Sequence, residues 1–150
     1  MNDDIYHQRV EKPWGHEIIW TPPDLARAGK LLHVKAGHRL SLQYHDQKEE
    51  TILLFSGQAR LHLGDDLERL QVIEMTAHHG YTIRPFKIHR LEAVTDCVFV
   101  EVSSPETGTT FRLQDDHQRP HETEELRRKE RGQGPASIRS KFRTGYFLLL

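Results

Sequence analysis

Gln43, His45, Glu50 and His89 are the residues of this chain whose types and spacing could do chemistry. An amide oxygen, two imidazoles and a carboxylate make a mixed oxygen and nitrogen donor set, compatible with one divalent transition metal: zinc, iron, manganese, nickel or cobalt. Cysteine ligation is absent from the set. With Glu50 as the one charged ligand, a bound ion would keep excess positive charge, able to polarise a carbonyl or hydroxyl and to lower the pKa of water.

Those side chains need strands to bring them together. Alternation along residues 40 to 45 predicts Leu40, Leu42 and Tyr44 on one face and Ser41, Gln43 and His45 on the other. Glu50, Ile52 and Leu54 would line one face of the next strand, folded back antiparallel by a short turn. Further short apolar or alternating runs fall at Glu17 to Trp20, Leu31 to Lys35, Ala59 to Leu63, Leu70 to Met75, Tyr81 to Ile83, Ile88 to Ala93 and Cys97 to Val102. Glycines at Lys35-Ala-Gly37, Ser56-Gly57-Gln58, Gly64-Asp-Asp66 and His79-Gly80 supply turns, and Pro85 can stop a strand. Many short, evenly spaced strands predict an all-β antiparallel barrel or sandwich over the first 115 residues.

The end of the chain has a different pattern. Thr123, then Glu124 and Glu125, then Arg127, Arg128 and Lys129 place acid before base along a possible helix. Leu126 is its one strongly apolar residue, so the helix is expected to bury little. Gly132 to Arg143 reads as a flexible linker, and Tyr146 to Leu150 is an apolar terminus too short to span a membrane. The expected organisation is one barrel with an N-terminal arm over residues 1–120, then an extension over 121–150.

Bulk properties narrow the function classes. The 150 residues are 36% hydrophobic and 29% charged, enough for one compact core. No apolar run approaches the roughly 20 residues of a membrane span, and the acidic start Met1-Asn-Asp-Asp-Ile does not suit a signal peptide, so a cytoplasmic protein without membrane contact is expected. Twenty-one basic against 22 acidic residues give no global field for nucleic acid. Cys97, beside a Val-Phe-Val run, reads as a small buried hydrophobe rather than a nucleophile. Of the 11 histidines, His7, His16, His33, His62, His78, His79, His117 and His121 are expected to be solvent-facing or structural.

Residues 11 to 116 resemble the cupin superfamily, and within it the cupin domain of bacterial type II mannose-6-phosphate isomerases. The resemblance is carried by Glu11-Lys-Pro-Trp-Gly15, by Leu42-Gln43-Tyr44-His45 with Lys48 and Glu50, and by Gly57 followed by Gln-Ala-Arg-Leu. It extends through Gly80-Tyr-Thr-Ile-Arg84-Pro85-Phe-Lys87-Ile-His89-Arg90, Phe99-Val-Glu101-Val and Phe111 to Asp116. It implies a double-stranded β-helix, or jelly-roll barrel, with Gln43, His45, Glu50 and His89 as metal ligands. The chain departs from the family where Lys48 replaces the usual arginine, which grips carboxylate or phosphate by two bonds. Phe86 and Lys87 also follow Pro85 where glycine is usual. The nucleotidyltransferase domain that precedes the cupin in long type II enzymes is not in this chain.

The leading expectation is a metal-dependent sugar or sugar-phosphate isomerase or epimerase acting by proton transfer. Lys48, Arg84 and Glu101 are its candidate catalytic or substrate-contacting residues, with Lys35, Arg39, Lys87 and Arg90 as further positive charge around the mouth. Glu101 could accept a proton or bond to a neighbouring base. An Fe(II)-dependent oxygenase of a small organic substrate is the alternative, favoured if Ile52, Leu54 and Ile83 make a dry pocket. A non-catalytic metal- or sugar-binding cupin is the third. Trp14 is expected to close the core and Tyr44 to point outside the cavity. A homodimer is expected, with Ile5 to Val10 and Tyr146 to Leu150 as candidate exchange elements.

Overall fold

The computed structural model of the chain describes residues 3–133. In order along the chain, the strands are β1 Gln8–Lys12, β2 Gly15–Ile19, β3 Ala28–Val34, β4 Leu42–His45, β5 Glu50–Ser56, β6 Ala59–Gly64, β7 Gln71–Glu74, β8 Gly80–Ile83, β9 Ile88–Ala93, β10 Cys97–Ser103 and β11 Thr110–Gln114, followed by helix α1 Glu124–Glu130. The strands form two antiparallel sheets, ordered β1-β2-β3-β10-β5-β8 and β11-β4-β9-β6-β7. Among the described residues no ladder joins one sheet to the other, so the cupin-like architecture is seen as two sheets rather than as a closed barrel.

Nine of the strands lie where alternation predicts them. Strands β1 and β11 fall outside those runs, and each is an edge strand. Val10 is the one buried residue of β1, and Thr110 the one buried residue of β11, too little pattern to read as apolar alternation. The expected N-terminal arm contributes β1 to a hairpin with β2 of its own chain, with Lys12 opposite Gly15.

One core holds the sheets together. Leu32, Ile52, Leu54 and Phe99 from the first sheet meet Leu61, Leu91 and Ala93 from the second, with Trp14 packed against them from the β1–β2 turn. Removal of this apolar surface from water is the main driving force for the sandwich. Cys97 is part of the same core and its thiol donates to the Gln58 carbonyl at 3.1 Å. Gly57 takes φ +98°, and a Cβ there would stand 2.4 Å from the Asp96 carbonyl oxygen, so the β5–β6 turn excludes a side chain. Near Gly80 the left-handed residue is instead His78, at φ 66°.

Helix α1 begins as its sequence implies. Thr123 caps it by accepting from the Leu126 N–H at 3.1 Å, with acid in the first turn and base in the last. The expectation that it buries little is corrected by charge: Arg127 is buried against Glu122 and Glu106. From residue 134 onward, the expected linker and the Tyr146 to Leu150 tail lie outside the described residues. Among the described residues no helix is long and apolar enough to cross a membrane.

Candidate metal centre

Antiparallel register assembles the centre from both sheets. Gln43 on β4 pairs with His89 on β9, while Thr110 on β11 lies opposite His45. From the facing sheet come Glu50 on β5 and Glu101 on β10, with Glu101 opposite Lys30 of β3. His45, Glu50 and His89 are buried, and one potential ligand atom from each lies within 4.8 Å of the others.

The ring orientations suit metal ligation. His89 Nδ1 is 2.8 Å from the Lys87 carbonyl oxygen, which can only accept, so Nδ1 carries the hydrogen and Nε2 is left with its lone pair. That buried Nε2 lies 3.0 Å from Glu50 Oε1 without making a well-formed hydrogen bond to it. A lone pair facing a carboxylate in a buried site is repulsive unless a cation or proton sits between them. His45 Nε2 faces the same Glu50 Oε1 at 3.4 Å, and its Nδ1 is 2.8 Å from Thr110 Oγ1. The donor set therefore fits a divalent ion.

Gln43 lines the same cavity beside Glu50, and its amide oxygen accepts from the Ser41 hydroxyl at 2.5 Å. Leu40 departs from the alternation: β4 starts only at Leu42, so the irregular run before it lets Leu40 line the cavity with Ser41. Tyr44 points the other way and stacks on Phe111, ring centroids 4.9 Å apart.

Lys48 joins the centre to Glu101. Its Nζ lies 3.0 Å from Glu50 Oε2 and 3.0 Å from Glu101 Oε2, and all three residues are buried. Burial by itself would raise Glu50, but Lys48, His45 and His89 outweigh it and hold that carboxyl well below its usual range. Glu101 goes the other way. Burial pushes it up, Lys48 opposes and the nearby Glu50 adds to the rise, leaving its pKa at about 7. One lysine cannot neutralise two carboxylates, so Glu101 is the partner that takes a proton.

The remaining sequence candidates are distributed differently. Arg84 has a side chain 76% exposed, 3.7 Å from Glu49, and does not line the cavity. Arg39 pairs with Asp116 and Lys87 with Asp65, while Arg90 is buried and donates to the carbonyls of Leu40 and Gln114. Of the expected cations, Lys48 lines the main cavity and Arg90 the chamber beside His89, and further positive charge comes from Lys12, Lys30, Arg112, Arg119 and Arg127. They are interlaced with Glu17, Glu106 and Glu122: Lys30 is 2.6 Å from Glu106, and Arg127 is 2.9 Å from Glu122. Sequence spacing misses Thr110 and Glu106 because their partners His45 and Lys30 are distant in the chain, and it misses Glu122 because no strand or helix period links it to Arg112 and Arg127.

The cavity next to the centre has a volume of about 60 Å³, with a second chamber of about 20 Å³ beside His89. Ile52 and Leu91 line the second chamber, so the polar ligands stand on an apolar floor.

Comparison with known proteins gives one family and a set of folds. The profile of the family described as mannose-6-phosphate isomerase C-terminal matches residues 1–121. No curated protein sequence matches the chain. Among solved structures, Lactobacillus farciminis oxalate decarboxylase in its formate complex is 22% identical with a TM-score of 0.60, covering 71% of this chain and 34% of that chain. Bacillus subtilis oxalate decarboxylase, studied for its Mn(II) centers, is 18% identical with a TM-score of 0.62, covering 85% and 35%. Staphylococcus aureus capsular polysaccharide assembling protein CapF is 15% identical with a TM-score of 0.54, covering 79% and 32%. This chain thus spans about a third of each, and at such identities the likeness is one of fold.

Proposed function

The chain is a cupin-superfamily domain belonging to the mannose-6-phosphate isomerase C-terminal family, and from that footing we propose that it is a metal-dependent isomerase or epimerase of sugars or sugar phosphates. The observation that carries the reading is a buried His45–Glu50–His89 cluster with a second buried carboxyl, Glu101, joined to it through Lys48, whose Nζ lies 3.0 Å from both Glu50 and Glu101. His45, Glu50 and His89 would hold the ion, with the Gln43 amide oxygen as a fourth ligand. A bound divalent ion would supply positive charge that polarises a carbonyl or hydroxyl.

The chain's own residues supply the rest. Lys48 would hold Glu50 by Oε2, leaving Oε1 turned toward the two imidazoles. Glu101 would accept a proton from the carbon beside the polarised group and return it to the neighbouring carbon, one carboxylate serving both transfers. Arg84, exposed and outside the cavity, has no part in this reading.

A second reading has one observation in its favour. About 60 Å³ is far below the roughly 300–1,000 Å³ of pockets that take drug-sized ligands, which suits a small organic acid as substrate. Oxygenase or decarboxylase chemistry on such an acid is therefore the alternative. A sugar phosphate would need the ionic wall made by Glu106, Glu122 and Arg127 to open.

Metal content of natively purified protein, compared with His45→Ala and His89→Ala, tests the centre. Exchange of solvent deuterium into mannose 6-phosphate by the loaded protein tests the reaction. A metal lost in both variants, together with deuterium uptake that Glu101→Gln abolishes, is the expected result. Metal without deuterium uptake, but with consumption of a small carboxylic acid, would transfer the assignment to the second reading.

A further inference from the structure

Two of the clustered ligands are oriented by a neighbour. His89 rests on a backbone carbonyl, whereas His45 depends on the Thr110 side chain, Oγ1 to Nδ1 at 2.8 Å, with both residues buried. For His45 Nε2 to offer a lone pair toward the cluster, Nδ1 must carry the hydrogen and Thr110 Oγ1 must accept it. Thr110 is itself clasped. Its N–H donates to the Glu122 carbonyl and its carbonyl accepts from the Glu122 N–H, each at 2.9 Å. The Glu122 carboxylate accepts from Arg127 Nε at 2.9 Å and from Arg112 Nη2 at 3.0 Å. Arg127 belongs to α1, which begins after the family match ends at residue 121.

We propose that Thr110 is a positioning residue for the metal centre, and that α1, acting through Arg127 and Glu122, holds Thr110 in place. The C-terminal segment is then a working part of the site, coupled to His45 by a continuous chain of hydrogen bonds. The proposal rests on the metal-binding reading above. Outer partners that fix the tautomer of a ligating histidine typically govern about 10–100-fold in metal affinity. Thr110→Val keeps the shape of the side chain and removes the acceptor. Thr110→Ser keeps the acceptor.

Cobalt(II) titration followed by visible absorption gives the affinity, and long-range proton–nitrogen correlation spectra of the metal-free protein give the His45 tautomer. The expected wild-type tautomer is Nδ1–H. Thr110→Val should mix the tautomers and raise the Co²⁺ dissociation constant about 10–100-fold, with Thr110→Ser restoring both. Arg127→Met, which removes a residue with no contact to any ligand, should also raise the constant. Thr110→Val with wild-type affinity and tautomer would overturn the proposal while leaving the metal reading intact. Should that variant not fold, the wild-type spectrum decides, because an Nε2–H His45 overturns the proposal by itself. Wild-type protein that takes up no Co²⁺, Zn²⁺ or Mn²⁺ would sink the metal reading and this proposal together.

Discussion

At the scale of single residues, Lys48 Nζ is shared at 3.0 Å between Glu50 Oε2 and Glu101 Oε2, and the two carboxyls respond in opposite directions. Glu101 titrates at about 7 in the folded metal-free chain against an ordinary 4.5. The folded state therefore binds a proton that the unfolded state releases between those values. Its stabilising effect is fully present below pH 4.5 and is lost as pH rises to about 7. Glu101→Gln removes that dependence. Relative to wild type, the metal-free variant should gain on the order of 3 kcal/mol at pH 8 over its standing at pH 4. Urea unfolding at both pH values checks this, and parallel pH profiles for the two proteins would refute it. Phe86 presents a separate strain, a side chain 65% exposed on a backbone at φ 67°. Phe86→Gly should stabilise by about 1 kcal/mol, since glycine enters the left-handed region without the Cβ cost and little packing is lost. A lowered thermal midpoint would show that the Tyr44 contact, 6.1 Å between ring centroids, matters more.

Helix α1 has seven residues and one partly buried apolar side chain, Leu126, so its attachment is ionic. Glu106 is the hub, 2.6 Å from Lys30, 2.6 Å from Arg131 and 3.3 Å from Arg127. Burial would raise Glu106, but Lys30, Lys48 and Arg131 hold it well below the usual carboxylate range. Glu106→Gln leaves buried cations short of a counter-charge, and such losses cost about 3–5 kcal/mol. The expected result is lost hydrogen-exchange protection over residues 124–131, with the β10 amides still protected. Acid should act on the same element. Burial raises Glu122, but Lys12 and Arg127 bring it down to about 2 from 4.5. Its contribution is present above pH 4.5 and is lost as pH falls toward 2, so α1 should undock across that window. Exchange protection of α1 that is unchanged at pH 2.5 would refute the ionic attachment.

Across the whole molecule, the cluster draws His45 and His89 from one sheet and Glu50 from the other. An ion held there ties the two faces of the sandwich together. Binding to the folded chain alone should therefore raise global stability, by about 2.7 kcal/mol at 100 times the dissociation constant. Thermal unfolding with and without Zn²⁺ or Mn²⁺ measures it, and His89→Ala should abolish the increment. An equal increment in wild type and variant would mean that the ion binds elsewhere.

Much of the candidate centre was legible from residues 40 to 54 because a strand repeats every two residues: Gln43 and His45 had to share a side, and so did Glu50, Ile52 and Leu54. The cap and charge order of α1 were equally local, and the motifs around Glu50 and His89 pointed to the family. Leu40 broke the alternation because a strand's first residue is set by its pairing partners, not by its own pattern. Arg84, Arg39 and Lys87 were placed by proximity along the chain, which does not say which cation a buried carboxylate will recruit. What the sequence by itself determined was the donor types, their spacing along each strand and the helix start, all consequences of backbone period and local hydrogen bonding. Tertiary structure alone decided that Gln43 meets His89, that Lys48 divides its charge between Glu50 and Glu101, and that Arg127 closes on Glu122 behind Thr110. Those outcomes depend on register between distant strands and on burial, which sets how strongly each charge must be compensated.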